Sequence, residues 1–408
     1  MIEDIKVERK HLAERPDHVP PDAVVDFDIY SPPGVREGFH KAWAALQRPG
    51  MPNLVWTPHN GGHWIATRGR LVSAMLADYQ RFSSRLIIVP KAEAAFINTI
   101  PTTLDPPAHR PVRNLLNPAF SPKAVGRSEA GIRELAISLI EGFRDRGYCN
   151  FTEEYAEKLP IQVFLKMVDL PLEDGPKLKF LADQIMHAAG QMTPGEAMQA
   201  FYEYLSGPLD DRIGGDEEDM LSRIVNSKLD DRQLTRAEAL NLSVAALIGG
   251  LDTVVNLLGF IMYHLGENPI EQKKLVAEPE LIPRAVEEYF RRFPVATVVR
   301  VVAADMEYEG ALLKDGDMVA MPTMLHGLDE EENIRPMEVE FARDTVNHST
   351  FGAGVHKCVG ISLARSEVRI TLEEWLARIP DFELAKDTTP ISGGGIVGYI
   401  QPVAFTWK

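Results

Sequence analysis

The chain has 408 residues, 45% of them hydrophobic and 25% charged, with a formal net charge of −16 at pH 7. Such a composition can bury a large core. So acidic a surface repels nucleic acid and anionic membrane and argues against both as partners. The two cysteines, Cys149 and Cys358, give no disulfide framework, which fits a reducing, cytoplasmic compartment. Length alone allows two or three domains. No repeat or composition shift marks a boundary, so one domain over residues 1–408 is expected. Residues 1–20 are charged and proline-bearing. They read as a loosely ordered extension without the apolar run of a secretory signal or a membrane anchor.

Helical patterning marks residues 35–47. Strands at 53–57 and 63–67 flank a Pro-His-Asn-Gly-Gly turn and predict a hairpin. His59 and His63 span that turn with no third ligand nearby in sequence, so zinc is not expected there. Helices follow at 128–146, 153–168, 178–189 and 195–212, and residues 214–219 read as a surface loop. Thr235 is a good N-cap, and Glu238 completes a capping box. The helix begun there should run to Gly266, about 30 residues or roughly 45 Å. Residues 242–266 are apolar enough to raise a membrane crossing. Asp252, Asn256 and His264 are costly in lipid, so the helix should be buried in protein. A helix at 283–293, strands at 298–302, 306–308 and 317–320, a helix at 359–379 and a strand at 399–407 complete the chain. Gly393-Gly394-Gly395 precedes no helix and reads as a turn. Helices outnumber strands, which places the fold in the mainly α class.

Three groups of residues carry chemistry. Gly249-Gly250-Leu251-Asp252-Thr253 lies inside the long helix, where each glycine costs about 1 kcal/mol relative to alanine. Taken alone it reads as a kink with a satisfied buried aspartate. Glu288 and Arg291 stand at i and i+3 and can pair on one helix face. Phe351-Gly352-Ala353-Gly354-Val355-His356-Lys357-Cys358-Val359-Gly360 precedes a helix. A thiolate at Cys358 would face helix N-terminal amides, which should lower its pKa. Gly352 and Gly354 permit a tight loop around a bulky ligand. Gly360 removes a side chain beside the sulfur, Phe351 can shield it, and His356 can donate to a ligand carboxylate.

This F-x-x-G-x-H-x-C-x-G pattern resembles the haem-binding loop of the cytochrome P450 family. CNFTEEYAE, the TTLDPP run at 102–107, GGLDTVVN and RIPDFEL…GGGIVGYIQ extend the likeness to the bacterial camphor-hydroxylating subfamily, from about residue 20 onward. The resemblance implies the triangular, mainly helical P450 fold with a small β-rich lobe and a long central helix over the haem. It implies haem b on the Cys358 thiolate, with Phe351, Gly352 and Gly360 around it. Arg113, Arg300 and His356 should pair with the propionates. Asp252 and Thr253 match the acid–alcohol pair that relays protons during dioxygen activation. Lys179 and His187 match the positions that hold that aspartate, the second being Arg in the camphor enzyme. Glu288 and Arg291 match the buried brace of the haem loop, whose third member, an arginine in a later loop, corresponds here to Glu338. The resemblance also implies electrons from a [2Fe–2S] ferredoxin and an NADH-dependent reductase. Arg110, Arg113 and Lys357 form a basic patch on which an acidic ferredoxin could dock.

The pocket positions carried over are Ile88, Ile97, Thr99, Thr102, Ala245, Ile248, Gly249, Ala296, Ile396 and Val397. Ile97 replaces the tyrosine that anchors camphor, Ala245 a leucine and Ala296 a valine, and Val298 stands where an aspartate would be. Losing one polar anchor weakens selection by about 1–3 kcal/mol, and shorter side chains enlarge the cavity. A bulkier terpenoid, such as an ionone-type norisoprenoid, is expected; a pocket that still takes camphor is the alternative. A haem-thiolate sensor without oxygenase activity, or a peroxide-using enzyme, would not need the Asp252–Thr253 pair.

Overall fold

The computed structural model describes residues 12–187, 190–229 and 231–408. Helix starts follow the capping chemistry. Thr235 accepts from the Glu238 N–H, and Glu238 returns a 2.8 Å bond to the Thr235 N–H, so the capping box forms as expected. Ser121 caps Pro122–Arg144 with Pro122 at its first position, so this helix begins before the predicted residue 128. The segment expected to start a helix at 153 begins as a π-helical turn, Thr152–Ala156, before Lys158–Met167.

The long helix is two helices in line, Arg236–Leu251 and Thr253–Glu267. Asp252 sits between them at φ −130°, ψ −41°, outside helical geometry. Most of its apolar stretch is buried within the protein, as its polar residues required. It runs through a single large hydrophobic cluster built mainly by helices.

A smaller cluster lies around a five-stranded sheet. The hairpin Leu54–Thr57 and His63–Ala66 pairs Val55 with Ile65 and Trp56 with Trp64. Met318–Pro322, Thr297–Val302 and Phe82–Ser83 extend it. Met306–Tyr308 does not join this sheet but turns back on Ala311–Leu313. The expected strand 399–407 is two strands, Tyr399–Gln401 and Ala404–Trp407, in different sheets. Pro402 lies between them and has no N–H to continue a ladder. The loose extension expected over residues 1–20 does not reach its full length. The Ala13 N–H bonds Pro58 O at 2.9 Å and Val19 is fully buried, so residues 12–20 pack on the hairpin. Residues 1–11, and the end of the helix predicted at 178–189, lie outside the described residues.

Candidate active site

The cysteine loop is held from several directions. The Cys358 N–H donates to Phe351 O at 2.8 Å and the Gly352 N–H to Ser349 O at 2.7 Å. Gly354 has φ +65°, and a Cβ there would come within 2.7 Å of the Ala77 backbone. Only glycine lets the loop lie this close to helix Gly69–Ala77. The Phe351 ring meets Phe290 edge-on at 4.9 Å. Cys358 exposes its side chain, and that surface belongs to an internal cavity. Burial raises the thiol's pKa, against the Gly360 N–H and Arg113, which lower it. The helix-start amides therefore act as expected but do not win. A coordinating metal would reverse the balance, since it deprotonates a thiol outright.

Behind the loop, the helix Ile282–Arg292 supplies a fully buried ionic network. Arg291 grips Glu288 with two bonds of 2.8 and 2.7 Å. Its other donors reach the carbonyls of Gly327, Pro336 and Glu338 at 2.6, 2.7 and 2.8 Å. The third charged member is Arg343, whose Nε lies 3.2 and 3.1 Å from the two Glu288 oxygens. This corrects the assignment to position 338. The Glu338 side chain points outward to Arg335 at 2.7 Å, and only its carbonyl enters the network. A turn closed by the Arg343 N–H on Glu340 O brings the later arginine back to Glu288.

The cavity, about 390 Å³, lies between this loop and the break in the central helix. Cys358, Phe351, Gly352 and Gly360 line one side; Ala245, Gly249, Gly250 and Thr253 line the other. Nothing stands within 4 Å of a Cβ added to Gly249, so its missing side chain leaves room. A Cβ on Gly250 would strike the Phe164 ring at 2.3 Å, so that glycine lets two helices touch. Thr253 Oγ lies 3.4 Å from Gly249 O. Thr102, Ala296 and Val298 also line the cavity. Ile88, Ile97, Thr99, Ile248, Ile396 and Val397 do not. Val397 pairs with Ala296 as a β-bridge, and the Ile396 N–H is tied to Met186 O at 2.8 Å. Ile88, Ile97 and Ile248 belong to the hydrophobic core, and the Thr99 hydroxyl is buried without a partner.

One end of the cavity collects donors in excess. Arg300 is buried and donates to Val299 O at 2.8 Å; burial pushes its pKa down to about 10, with only Asp105 pulling the other way. His356 Nε2 lies 2.9 Å from Ser84 Oγ, and burial, then Arg300, His109 and Arg113, push its pKa down to about 3. Arg113 donates to Lys357 O at 2.5 Å. His109, which sequence reasoning missed, places its ring 4.3 Å from that of His356 and leaves Nε2 buried without a partner. Its signal was the four-residue spacing to Arg113 on the helix His109–Phe120. Crowded cations and neutral imidazoles with so few acceptors fit a ligand bearing carboxylates. Glu367, also missed, lines the cavity, has one oxygen unpartnered, and is pushed up to about 8 by burial. Arg110 and Lys357 are exposed.

Asp252 does not line the cavity. Its carboxylate turns to the helix Gly175–Met186, with Lys179 Nζ 3.1 Å from Oδ1 and His187 Nε2 3.0 Å from Oδ2. Asn256 donates to Oδ1 at 2.7 Å. Burial disfavours the carboxylate, but His187 and Lys179 outweigh it and hold the pKa below the usual range. Asp183, His187 and Asp252 are ligand types that could gather a metal ion. The Lys179 ammonium already bridges the two carboxylates, so that place is filled.

Residues 176–391 match the family model described as Cytochrome P450. The chain is 33% identical to the "Probable cytochrome P450 127A1" of Sinorhizobium fredii (strain NBRC 101917 / NGR234) across the whole of both proteins. The crystal structure of CYP101J2 superposes with a TM-score of 0.89 at 45% identity, covering 97% of this chain and 100% of that one. Mycobacterium marinum CYP268A2, solved in complex with pseudoionone, superposes with a TM-score of 0.81 at 25% identity, covering 91% and 95%. With a cysteine at the cavity floor, a notched helix opposite it and a rim of carboxylate-seeking cations, the chain belongs to the cytochrome P450 family, monooxygenases that carry haem b on a cysteine thiolate.

Proposed function

We propose that this monooxygenase hydroxylates a small apolar terpenoid, an ionone-type norisoprenoid rather than camphor, with electrons from a [2Fe–2S] ferredoxin. The observation that carries the substrate reading is the lining above Cys358. It is built from small and apolar groups (Ala245, Gly249, Ala296, Val298) with Thr102 as one of its few hydroxyls. Among the described residues no tyrosine lines it, and Ile97, at the position of the camphor anchor, is buried and does not line it. Shape must then select the substrate, at a cost in discrimination of about 1–3 kcal/mol per missing hydrogen bond. That CYP268A2 was solved in complex with pseudoionone supports the class.

When bound, the haem supplies dioxygen activation and the oxidation of an unactivated C–H bond. Cys358 would hold the iron, and Arg113, Arg300 and His356 would take the propionates. The apolar walls exclude water from the reacting carbon. Thr253 holds a hydroxyl at the Gly249 notch, where a proton can be handed into the cavity. Asp252, one residue back across the helix break, would pass that proton on after its carboxylate turns away from Lys179 and His187 and takes one up from water. Arg110, Arg113 and Lys357 offer a basic landing site beside the cysteine loop for an acidic ferredoxin.

The test is a terpenoid panel scored by the spin-state change of the ferric haem, followed by product identification. Ionone-type ketones should displace the iron's water more completely than camphor. Camphor matching them would overturn the substrate reading. The relay is tested separately: Thr253→Ala should keep NADH consumption with a ferredoxin system but divert much of it to peroxide. Undiminished coupling would remove Thr253 from the proton path.

A further inference from the structure

We propose that His187 is a positioning residue whose proton decides whether Asp252 is held against its helix or released toward the cavity. This rests on the reading of Asp252 and Thr253 as the proton path and adds a control to it.

The two oxygens of Asp252 have unlike neighbours. Oδ1 is held by the Lys179 ammonium at 3.1 Å and the Asn256 amide at 2.7 Å, neither of which changes state near neutral pH. Oδ2 makes no aligned hydrogen bond, although His187 Nε2 lies only 3.0 Å away. The contact is thus mainly one of charge, and it exists in full only while the imidazole is protonated. His187 Nδ1 is also buried without a partner. Neither the charged nor the neutral ring is fully satisfied, so a small change in surroundings can tip it.

Every group facing the ring bears on that balance. Lys179 and Asp183 come from its own helix, with Asp183 3.5 Å from Nε2. Asp252 comes from the central helix, and Glu157 faces Lys179 and Asp183 from the turn before Lys158–Met167. Tyr399 meets the ring edge-on at 5.1 Å, with Arg36 near its hydroxyl. Burial disfavours the imidazolium, but Asp252 and Asp183 outweigh it and raise the pKa above the ordinary 6.5. The hold is therefore present below that raised pKa and lost as pH climbs through it. Burial also raises the pKa values of Asp183 and Glu157, and when these take up protons in acid they stop repelling Asp252 and competing for its cations, so the hold persists on the acid side.

The experiment uses the haem-loaded enzyme between pH 6 and 9 with two readouts. One is amide hydrogen exchange of residues 175–187 and 250–256, corrected for its intrinsic pH dependence. The other is the ratio of peroxide to product. In wild type the released fraction should rise about tenfold per pH unit below the His187 pKa and then level off. His187→Arg, a permanent cation, should abolish the step and keep low-pH behaviour throughout. His187→Gln should abolish it and keep high-pH behaviour. An exchange step that survives in His187→Arg, or no step in wild type, overturns the proposal. If the exchange step follows His187 while the peroxide ratio stays flat, control of proton delivery is overturned, and an unchanged ratio in Thr253→Ala as well would trace the failure to the relay itself.

Discussion

The Glu288 and Asp252 clusters are both buried ion networks on helices that flank the cavity, but their bonds differ in kind. Around Glu288, Arg291 and Arg343 spend their donors on one carboxylate and on backbone carbonyls between residues 327 and 338. Around the Asp252 carboxylate every partner is a side chain, one contact is misaligned, and one partner is a histidine. Burial alone does not make a charged cluster permanent. Satisfaction does, because a fully bonded network cannot open without stranding several charges at once. The first cluster ties helix Ile282–Arg292 to the segment leading into the cysteine loop, where any movement would displace the iron's ligand. The second joins a helix end to a helix break, where movement is useful.

The sharpest way to break this contrast is Arg291→Leu. It takes two of the five hydrogen bonds from buried Glu288 and a donor from each of three carbonyls, and removing one member of a buried pair costs about 3–5 kcal/mol. The expected result is little haem-loaded protein and, in what survives, a thermal midpoint lower by several degrees. Normal haem content and an unchanged midpoint would show the network to be dispensable. Arg343→Leu should cost less, about 2 kcal/mol, because Arg291 and the Glu340 N–H stay on Glu288.

Asp183→Asn puts the same question to the other cluster. Asp183 is 28% exposed, and Lys179 keeps Asp252 when it is neutralised. Its stability cost should stay under about 1 kcal/mol, while the pH at which Asp252 is released should fall, since His187 loses one of the carboxylates that favour its proton. The measurements are the thermal midpoint and the pH step in hydrogen exchange. A midpoint shift as large as that of Arg343→Leu would mean the two clusters are equally structural.

What could be read from the residues alone follows the same division. The cysteine loop and the Glu288–Arg291 pair were legible because chemistry fixes residue types at fixed spacings. Thr235 with Glu238 was legible because capping is local. The break at Asp252 was legible as a kink from its glycines and buried aspartate, but its partners Lys179 and His187, far away in sequence, could be named only through the family resemblance. The cavity wall was half legible. Thr102, Ala245, Gly249 and Ala296 are on it, but Ile97 and Val397 are not. Leu76, Phe120 and Phe164, which nothing in their local sequence marked, complete it. A wall is set by how distant backbones pack, and matching positions to a related pocket does not carry that packing. His109 was within reach of local reasoning, through its spacing to Arg113.

Position 338 separates sequence alignment from structure with the smallest effect of all. Were Glu338 the third member of the buried network, Glu338→Ala would open a gap beside Arg291 and cost as much as Arg343→Leu. The structure gives its side chain to the surface, 59% exposed and paired with Arg335, itself 58% exposed. Such pairs contribute little, because long exposed side chains lose entropy on pairing and water screens their charge. The carbonyl that Arg291 uses survives the substitution. Glu338→Ala should therefore leave the thermal midpoint and haem content unchanged, within about 0.5 kcal/mol. A loss near that of Arg343→Leu would give the Glu338 side chain a place in the buried network.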